Sequence, residues 1–279
     1  MDRLETIVAC MAPNAGDPTT QLTQTRFRMD LVDGWHIKPG ASVLEIGCGQ
    51  GDMTAVLAEA AGPTGRVLGL DIAHPDYGSP ITVGDSAAHL MNSTLGHRIE
   101  MRFETDVLDK AVTFDNLEFD HVVLSHCTWY FESMNQVEQV LNRVHPWAKQ
   151  LCFAEWDLIP RSVKQLPHLL AVLVQGEIET GGARGDGNVR TPFSRQALTR
   201  ALDRTGWSVT TAQDVHGSAL QDADWEITAA LHLANKPLTG LPQIAKDFVD
   251  SQMDVLRTLA EPKGNEPLPS YTLTADHRN

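Results

Sequence analysis

Residues 43–59, VLEIGCGQGDMTAVLAE, place three glycines, Gly47, Gly49 and Gly51, between an apolar run and a helix-like run. A glycine-rich turn between a strand and the next helix brings backbone N–H groups close to a ligand. The segment therefore predicts a strand–turn–helix unit that holds a ligand.

The chain around this unit alternates between short apolar runs and longer segments. The apolar runs lie at 42–46, 66–71, 99–104, 120–125 and 150–155, and the helix-length segments lie at 52–61, 84–96 and 134–147. Strands that alternate with helices predict a parallel sheet covered on both faces. Right-handed crossovers then make the fold doubly wound.

The pattern changes after residue 156. LPHLLAVLVQGEIE predicts an apolar helix, and residues 207–211 predict a strand. In DWEITAALHL, apolar residues from Trp225 to Leu233 alternate with more polar or smaller ones, which predicts a half-buried strand. We expect an antiparallel pair at one edge, a helix at 241–260 and an irregular tail from 261. The predicted architecture is α/β, with a doubly wound, mostly parallel, seven-stranded sheet and helical lid segments.

Composition limits the partners. The net charge is −14, from 22 basic and 36 acidic residues, and no Lys/Arg cluster is present. A phosphate-binding surface needs such a cluster, so both nucleic acid and an anionic membrane are disfavoured. The N-terminus does not resemble a signal peptide, and the four cysteines show no CxxC spacing. We expect a cytoplasmic protein with no metal site.

Three acidic residues near the turn limit the class of ligand it can bind. Asp52, next to the turn, would repel a pyrophosphate, and the spacing is G-x-G-x-G rather than the G-x-G-x-x-G that dinucleotides favour. Glu45 suits a cationic or hydrogen-donating ligand. Asp71 ends the second predicted strand, where a carboxylate can accept both ribose hydroxyls. These features together predict an adenosine ligand that carries a positive charge and no pyrophosphate, and S-adenosylmethionine fits that description.

These motifs carry a family resemblance. VLEIGCGQG followed by VLGLDI resembles the first two motifs of class I S-adenosylmethionine-dependent methyltransferases of the small-molecule type, which have a Rossmann-like fold. RFETDVLD resembles the third motif, and FDHVVLSHCTWYF resembles the fourth strand and its exit. The resemblance implies that the adenine lies near Asp106 and Val107 and that the methionine moiety lies near Ser125. The implied cofactor-binding residues are Glu45, Gly47, Cys48, Gly49, Gly51, Asp71, Ile72, Asp106, Val107 and Ser125.

The pattern along the chain predicts a single domain with five parts. We expect an N-terminal helical cap at 1–40, a cofactor-binding half at 41–158 and a helical insertion or lid at 159–191. A C-terminal helix with edge strands would occupy 192–235, and a C-terminal helix and tail would occupy 236–279.

The ends of the fourth and fifth strands predict the acceptor side. His126 and Glu155 are the candidate catalytic residues, because each can exchange a proton with an acceptor. Trp129, Tyr130, Trp156 and Asp157 are the candidate substrate-binding residues. Core packing for the rings and helix capping for the carboxylates are the alternatives. Arg184, Asn188 and Arg190, in a glycine-rich loop, could bind an anionic substrate or be solvated.

Methyl transfer to oxygen or nitrogen of a small molecule is therefore the expected reaction. The strand that would carry N/D-P-P-Y/F in nucleic-acid enzymes ends here in SHCT. Two alternatives stay open, a nucleotide-binding oxidoreductase and a non-catalytic protein that retains the methyltransferase fold. The oligomeric state is not indicated.

Overall fold

The computed structural model describes residues 2–13, 18–182 and 189–278. The strands are β1 Ser42–Ile46, β2 Arg66–Leu70, β3 Ile99–Arg102, β4 Phe119–Ser125, β5 Ala148–Trp156, β6 Trp207–Val215 and β7 Ser270–His277. The α-helices are α1 Arg3–Val8, α2 Pro18–Trp35, α3 Asp52–Ala60, α4 Val83–Met91, α5 Met134–Val144, α6 Leu166–Thr180, α7 Arg195–Arg204, α8 Asp222–Ala234 and α9 Gln243–Leu259.

The seven strands form one sheet in the order β3-β2-β1-β4-β5-β7-β6. The predicted fold class is confirmed, and the five predicted parallel strands occur with ends shifted by up to two residues. β1 lies between β2 and β4, with Leu44 paired to Leu68 on one side and Val122 on the other. The chain adds β2 and β3 on one side of β1 and then adds β4 and β5 on the other side. In such sheets the ligand crevice lies at this switch point, beyond the carboxyl ends of β1 and β4.

Local sequence explains the helices that cover the sheet. Helix α5 buries Val137, Val140, Leu141 and Val144, which recur at the i, i+3, i+4, i+7 spacing of one helical face. Its N-cap, Ser133, accepts a hydrogen bond from a backbone N–H one turn later. The buried face packs into the core, where the carbonyl of Leu141 accepts from Trp207 Nε1 at 3.2 Å.

The predicted strand at DWEITAALHL is wrong, because these residues belong to helix α8. Its buried residues are Ala223, Ile227, Ala230 and Leu233, spaced by three and four, whereas Trp225 is half-exposed. The alternating pattern of a strand and the three-to-four spacing of a helix both include Ile227 and Leu233, so a run this short fits either one. Alanine and leucine are strong helix formers, and this preference agrees with the observed state.

The irregular tail predicted from residue 261 is also wrong. The irregular segment ends at Pro269, the last of its three prolines. Ser270–His277 is a strand with six of its eight residues buried. β7 pairs antiparallel with both β5 and β6. The antiparallel pair at this side of the sheet is therefore β6 and β7, and β6 forms the edge there, with β3 at the opposite edge.

Two helical layers lie over the crevice. The N-terminal layer, α1 and α2, is tied to α3 through Arg3, whose Nε donates to Glu59 at 2.6 Å. The second layer, α6, α8 and α9, has an apolar cluster of its own, which includes Val174, Ile227 and Met253. In the part of the chain that the structure describes, no helix has the length and apolarity to span a membrane.

Candidate active site

The glycine turn opens toward solvent at one position. Gly47 and Gly49 have φ angles of 77° and 49°, in the left-handed region. A Cβ on Gly47 would lie 2.7 Å from the Cβ of Cys127, so the backbone there packs closely against the end of β4. A Cβ on Gly49 would have no described atom within 4 Å. Gly49 therefore forms the open floor of the turn, where a ligand can touch the backbone.

The Asp71 carboxylate is held against this turn. One oxygen, Oδ2, accepts from the Gly49 N–H at 2.7 Å, and Oδ1 accepts from the Ala73 N–H at 2.9 Å. Asp71 is only half-buried. A carboxylate offers about four acceptor sites, so both oxygens can still accept hydroxyl groups from a ligand. The two N–H donors fix the orientation in which they do so.

The loop after β3 joins the same edge. Thr105 donates its N–H to the backbone carbonyl of Asp71 at 2.9 Å. Asp106 is exposed next to it, whereas the Val107 side chain is buried in the core. Ile72 is 72% exposed, which is unusual for an isoleucine and leaves an apolar surface beside Asp71. Asp71, Ile72 and Asp106 thus line one edge, but the Val107 side chain does not.

Glu45 and Cys48 lie behind the turn. The Glu45 carboxyl is buried and accepts from the Thr54 hydroxyl at 2.6 Å. Burial raises the pKa of Glu45 to about 8, although the hydrogen bond from Thr54 acts to lower it. The Cys48 side chain packs over Gly69, where a Cβ would lie 2.8 Å from the Cys48 Cβ. Cys48 therefore reaches a ligand through its backbone only.

His126 follows Ser125 at the end of β4 in a left-handed conformation with φ 49°. Its Nε2 lies 2.9 Å from the Ser270 hydroxyl, which itself donates to the Glu155 carbonyl at 3.0 Å. Because that hydroxyl hydrogen is used, we assign the ring hydrogen to Nε2; Nδ1 then accepts from Ser125 at 3.3 Å. Burial lowers the pKa of His126 to about 3, and the charge of Arg28 lowers it further.

An aromatic stack surrounds His126. Trp156 lies parallel to Phe27 of α2 with ring centroids 6.0 Å apart, and edge-on to His126 at 4.9 Å. On its other side Trp156 meets His168 of α6 at 5.5 Å, again edge-on. The stack joins the ends of β4 and β5 to a helix of each covering layer.

Glu155 is 1% exposed and holds the turn after β4. Its carboxylate accepts from the Thr128 hydroxyl at 2.7 Å and from the backbone N–H groups of Thr128, Trp129 and Trp156 at 3.1–3.4 Å. Burial raises the pKa of Glu155 to about 7, against the lowering by these hydrogen bonds. Glu155 is thus directed at the protein backbone, and its predicted catalytic role stays a prediction.

Asp157 is separated from the other predicted acceptor-side residues. It is 2% exposed and pairs with Arg195 at 3.0 Å. Its N–H donates to the carbonyl of Pro269 at 2.7 Å, on the β7 side of β5. The carboxylate therefore ties the fifth strand to α7.

A small cavity lies between the ends of β4 and β5 and the α6–α8–α9 layer. Its walls include five of the six predicted acceptor-side residues, all except Asp157, together with His168, Val172, Val189 and Glu226. Its volume is about 10 Å³, enough for about one water molecule. By contrast, a cavity of about 350 Å³ borders the glycine turn at Gln50 and Asp52. The acceptor side is therefore closed, whereas the larger cavity lies beside the glycine turn and is lined by neither Gly49 nor Asp71.

Sequence reasoning missed the residues that the covering layers contribute. Arg28 donates from Nη1 to Gln24 Oε1 at 2.8 Å, and Gln24 Nε2 donates to Asp222 at 2.7 Å. This chain of contacts connects α2 to α8 across 198 positions of sequence. No local motif signals it, nor the presence of His168 or Glu226. Arg184 and Asn188 lie outside the described residues, and Arg190 donates its backbone N–H to the carbonyl of Trp129.

Comparison with known proteins decides the family. Residues 24–212 match the family described as "Methyltransferase domain". The chain belongs to this methyltransferase family. It is 33% identical to the crystal structure of a cyclopropane-fatty-acyl-phospholipid synthase-like protein from Lactobacillus casei ATCC 334, with a TM-score of 0.89 over 98% of each chain.

Curated methyltransferases match more briefly. Methyltransferase phomM' of Diaporthe leptostromiformis is 35% identical over 122 residues, 37% of this chain and 30% of that protein. Demethylmenaquinone methyltransferase of Shouchella clausii (strain KSM-K16) is 31% identical over 130 residues, 45% of this chain and 50% of that protein. The chain thus spans about a third to a half of the length of these relatives. The predicted family, an S-adenosylmethionine-dependent methyltransferase with a Rossmann-like fold, is confirmed.

Proposed function

We propose that the protein transfers a methyl group from S-adenosylmethionine to oxygen or nitrogen of a small-molecule acceptor. The observation that carries this proposal is the Asp71 carboxylate, fixed by the Gly49 N–H at the open floor of the glycine turn. Two acceptor oxygens of fixed orientation beside an exposed backbone suit a ribose whose hydroxyls are adjacent.

The residues around Asp71 fit the rest of an adenosine. The exposed Ile72 side chain offers apolar surface to an adenine ring, and the exposed Asp106 carboxylate can accept from the adenine amino group. Ser125 and the backbone of Cys48 flank the methionine side, with the buried Glu45 behind them. When bound there, the cofactor supplies an electrophilic methyl group.

The residues of the small cavity would hold the acceptor. In an in-line displacement the bond from the methyl carbon to sulfur breaks as its bond to the acceptor atom forms, so alignment and exclusion of water matter most. The rings of Trp129, Tyr130 and Trp156 supply apolar surface for both tasks. With a pKa of about 3, His126 is a weak base, and we assign it an orienting contact with the acceptor. Glu155 positions the turn that carries Trp129.

Two features support a small acceptor over a polymer. The cavity is covered by α6 and α8, so a nucleic acid or protein chain would have to displace this cover to reach it. The net charge of −14 opposes a phosphate backbone. A volume of about 10 Å³ admits one small group of an acceptor but not a whole molecule, so the α6–α8–α9 layer must move if more of the acceptor is to enter. Its own apolar cluster would hold the layer together as it moves, and the contact of Val172 in α6 with the main core would have to shift.

The location proposed for the protein is the cytoplasm. Cys10, Cys48, Cys127 and Cys152 are all buried free thiols, as expected for a reducing compartment.

Calorimetric titration separates this function from its alternatives. We expect S-adenosylhomocysteine to bind with micromolar or tighter affinity and NADH to give no heat at the same concentrations. Binding of NADH alone would favour an oxidoreductase. Absence of both heat and thermal shift with S-adenosylhomocysteine up to millimolar concentration would overturn the proposal.

A further inference from the structure

The small cavity contains two hydrogen-bond donors that the protein leaves unused. The indole Nε1 of Trp129 and the imidazole Nε2 of His168 are both buried without a partner among the described residues. The two side chains line the same cavity and are 2% and 0% exposed. Buried N–H groups without partners are rare, because each has given up its hydrogen bond to water. A pair of them in one cavity indicates a ligand atom that accepts from both.

The orientation of His168 makes its Nε2 a donor. On the opposite side of the ring, Nδ1 accepts from the backbone N–H of Leu268 at 2.9 Å. The hydrogen of the neutral ring therefore lies on Nε2. Burial lowers the pKa of His168 to about 3, so the ring stays neutral at physiological pH. The edge-on contact with Trp156, at 70° between ring planes, fixes the direction of this N–H.

The charges around the cavity favour a neutral hydrogen-bond acceptor over an anionic one. Two carboxyl groups, Glu155 and Glu226, line it, and none of its lining residues is Lys or Arg among those the structure describes. The positive charge of Arg28 acts on His126 from behind the lining, but the carboxyl groups lie in the lining itself, so an anionic ligand would meet like charge. Glu155 already accepts from three backbone N–H groups and one hydroxyl, whereas Glu226 accepts from the Gln175 amide at 2.8 Å and keeps acceptor capacity.

We propose that the acceptor molecule is bound through a neutral hydroxyl group on a flat apolar body, as in a phenol. The hydroxyl oxygen accepts from Trp129 Nε1 and His168 Nε2, and its hydrogen is donated to Glu226. Because both lone pairs of the oxygen are then used, this hydroxyl anchors the acceptor, and another nucleophilic atom of the acceptor receives the methyl group. This assignment rests on the proposed methyltransferase function and narrows its acceptor class. A cavity of about 10 Å³ has the size of one hydroxyl group rather than of a ring.

The apolar body of the acceptor then lies outside the cavity, against the aromatic walls. Tyr130 is 45% exposed, unlike Trp129 and Trp156, and marks the side that opens to solvent. An ammonium group has no lone pair for the two N–H donors. A carboxylate has lone pairs, but it would lie against Glu155 and Glu226.

Four small probes of matched shape test this inference on the full chain saturated with S-adenosylhomocysteine. They are p-cresol, toluene, benzylamine and benzoate, which present a hydroxyl, a methyl, an ammonium and a carboxylate. We expect p-cresol to bind at least ten-fold more tightly than each of the others, by calorimetry. It should also shift the indole N–H resonance of Trp129, assigned by its loss in Trp129→Phe.

Two variants locate the binding. Trp129→Phe and His168→Phe should each lower p-cresol affinity at least five-fold and leave S-adenosylhomocysteine affinity within two-fold. Trp147→Phe, on a buried tryptophan just before β5 that lines neither this cavity nor the one beside the glycine turn, is the matched control and should change neither affinity. Should His168→Phe unfold, the resonance shift in the unmodified protein still decides.

Equal affinity for all four probes, a preference for benzylamine or benzoate, or an unmoved Trp129 resonance would overturn the inference. These outcomes are distinct from failure of the proposed function. A protein that binds S-adenosylhomocysteine but shows no p-cresol preference refutes only the hydroxyl assignment, whereas one that binds no S-adenosylhomocysteine refutes the function itself.

Discussion

The cofactor side and the acceptor side of the crevice are built in opposite ways. The cofactor side consists of backbone and one carboxylate from residues 43–73, and it borders a cavity of about 350 Å³. The acceptor side consists of side chains from β4, β5, α6 and α8, and its cavity holds about 10 Å³. A surface made by one contiguous segment is formed as soon as that segment folds. A surface made by four segments depends on how they pack, and it can open and close.

The two sides also treat their buried carboxyl groups differently. Glu45, behind the glycine turn, accepts a hydrogen bond from the Thr54 hydroxyl at 2.6 Å. Glu155, under the acceptor cavity, accepts from three backbone N–H groups and one hydroxyl. Removing Glu155 should therefore disturb the fold more than removing Glu45 does.

Replacement of Glu155 by Leu tests this difference most severely. It leaves four buried donors without an acceptor, and we expect a loss of about 3–5 kcal/mol in the free energy of unfolding. Glu45→Gln keeps an oxygen for Thr54 and should cost about 1 kcal/mol or less. Urea denaturation of both variants at pH 7 measures the two values. Equal losses would show that Glu155 is not the anchor of the turn after β4.

Alanine in place of Gly47 or Gly49 separates packing from binding within the turn. Gly47→Ala places a Cβ 2.7 Å from the Cys127 Cβ in a left-handed conformation, so we expect a loss of about 2–4 kcal/mol in unfolding free energy. Gly49→Ala meets no described atom within 4 Å and should cost about 1 kcal/mol. Its main effect should be weaker binding of S-adenosylhomocysteine, because the methyl group occupies the floor of the turn. If Gly49→Ala lost more stability and Gly47→Ala lost more affinity for S-adenosylhomocysteine, the ligand would not lie on Gly49.

Asp71→Ala should weaken S-adenosylhomocysteine binding by about 1.5–3 kcal/mol, the scale of hydrogen bonds to a charged group. Asp71 is half-buried and holds only loop backbone, so thermal unfolding should change less than binding does. Asp71→Asn, which keeps one oxygen, is the matched control, and its affinity for S-adenosylhomocysteine should lie between those of Asp71→Ala and the unmodified protein. A variant that binds as the unmodified protein does would remove Asp71 from the ribose site.

Glu45 should also make stability depend on pH. Its folded-state pKa of about 8 lies above the value of 4.5 for an unperturbed glutamate, so the folded protein keeps this proton where the unfolded chain has lost it. The stabilising contribution is present below about pH 4.5 and is lost as the pH rises to about 8. Compared with Glu45→Gln, the unmodified protein should lose more than about 1 kcal/mol over that window. Parallel pH profiles of the two proteins would contradict the raised pKa.

The same comparison explains what could be predicted from sequence. The glycine turn, Asp71 and the strands β1 to β5 carry local signals, namely apolar runs, positive-φ glycines and an acid at a strand end. Local patterns failed where two periodicities coincided, as at Ile227 and Leu233 of α8. They failed again where three prolines obscured the strand that follows them, β7.

The acceptor cavity could be predicted only in part. Trp129, Tyr130 and Trp156 follow strands whose carboxyl ends meet at one edge, so the sheet order places them together. His168 and Glu226 come from α6 and α8, and their approach depends on how those helices pack. No spacing rule within the chain connects such residues. Asp157 is the opposite case, in which a sequence signal did not correspond to the cavity. Its position at a strand end suggested substrate binding, but its carboxylate pairs with Arg195.

Hydrogen exchange of the full chain, with and without S-adenosylhomocysteine, tests most directly whether the cofactor side is preformed and the acceptor side opens. We predict that amides of α6 and α8 exchange at least ten-fold faster than those of β1 and β4 in the free protein. The ligand should slow exchange at residues 47–51 and 71–73, and closure should also protect α2 and α6. The account would be contradicted if α6 and α8 exchanged as slowly as β1 and β4, or if protection on binding stayed within residues 43–130.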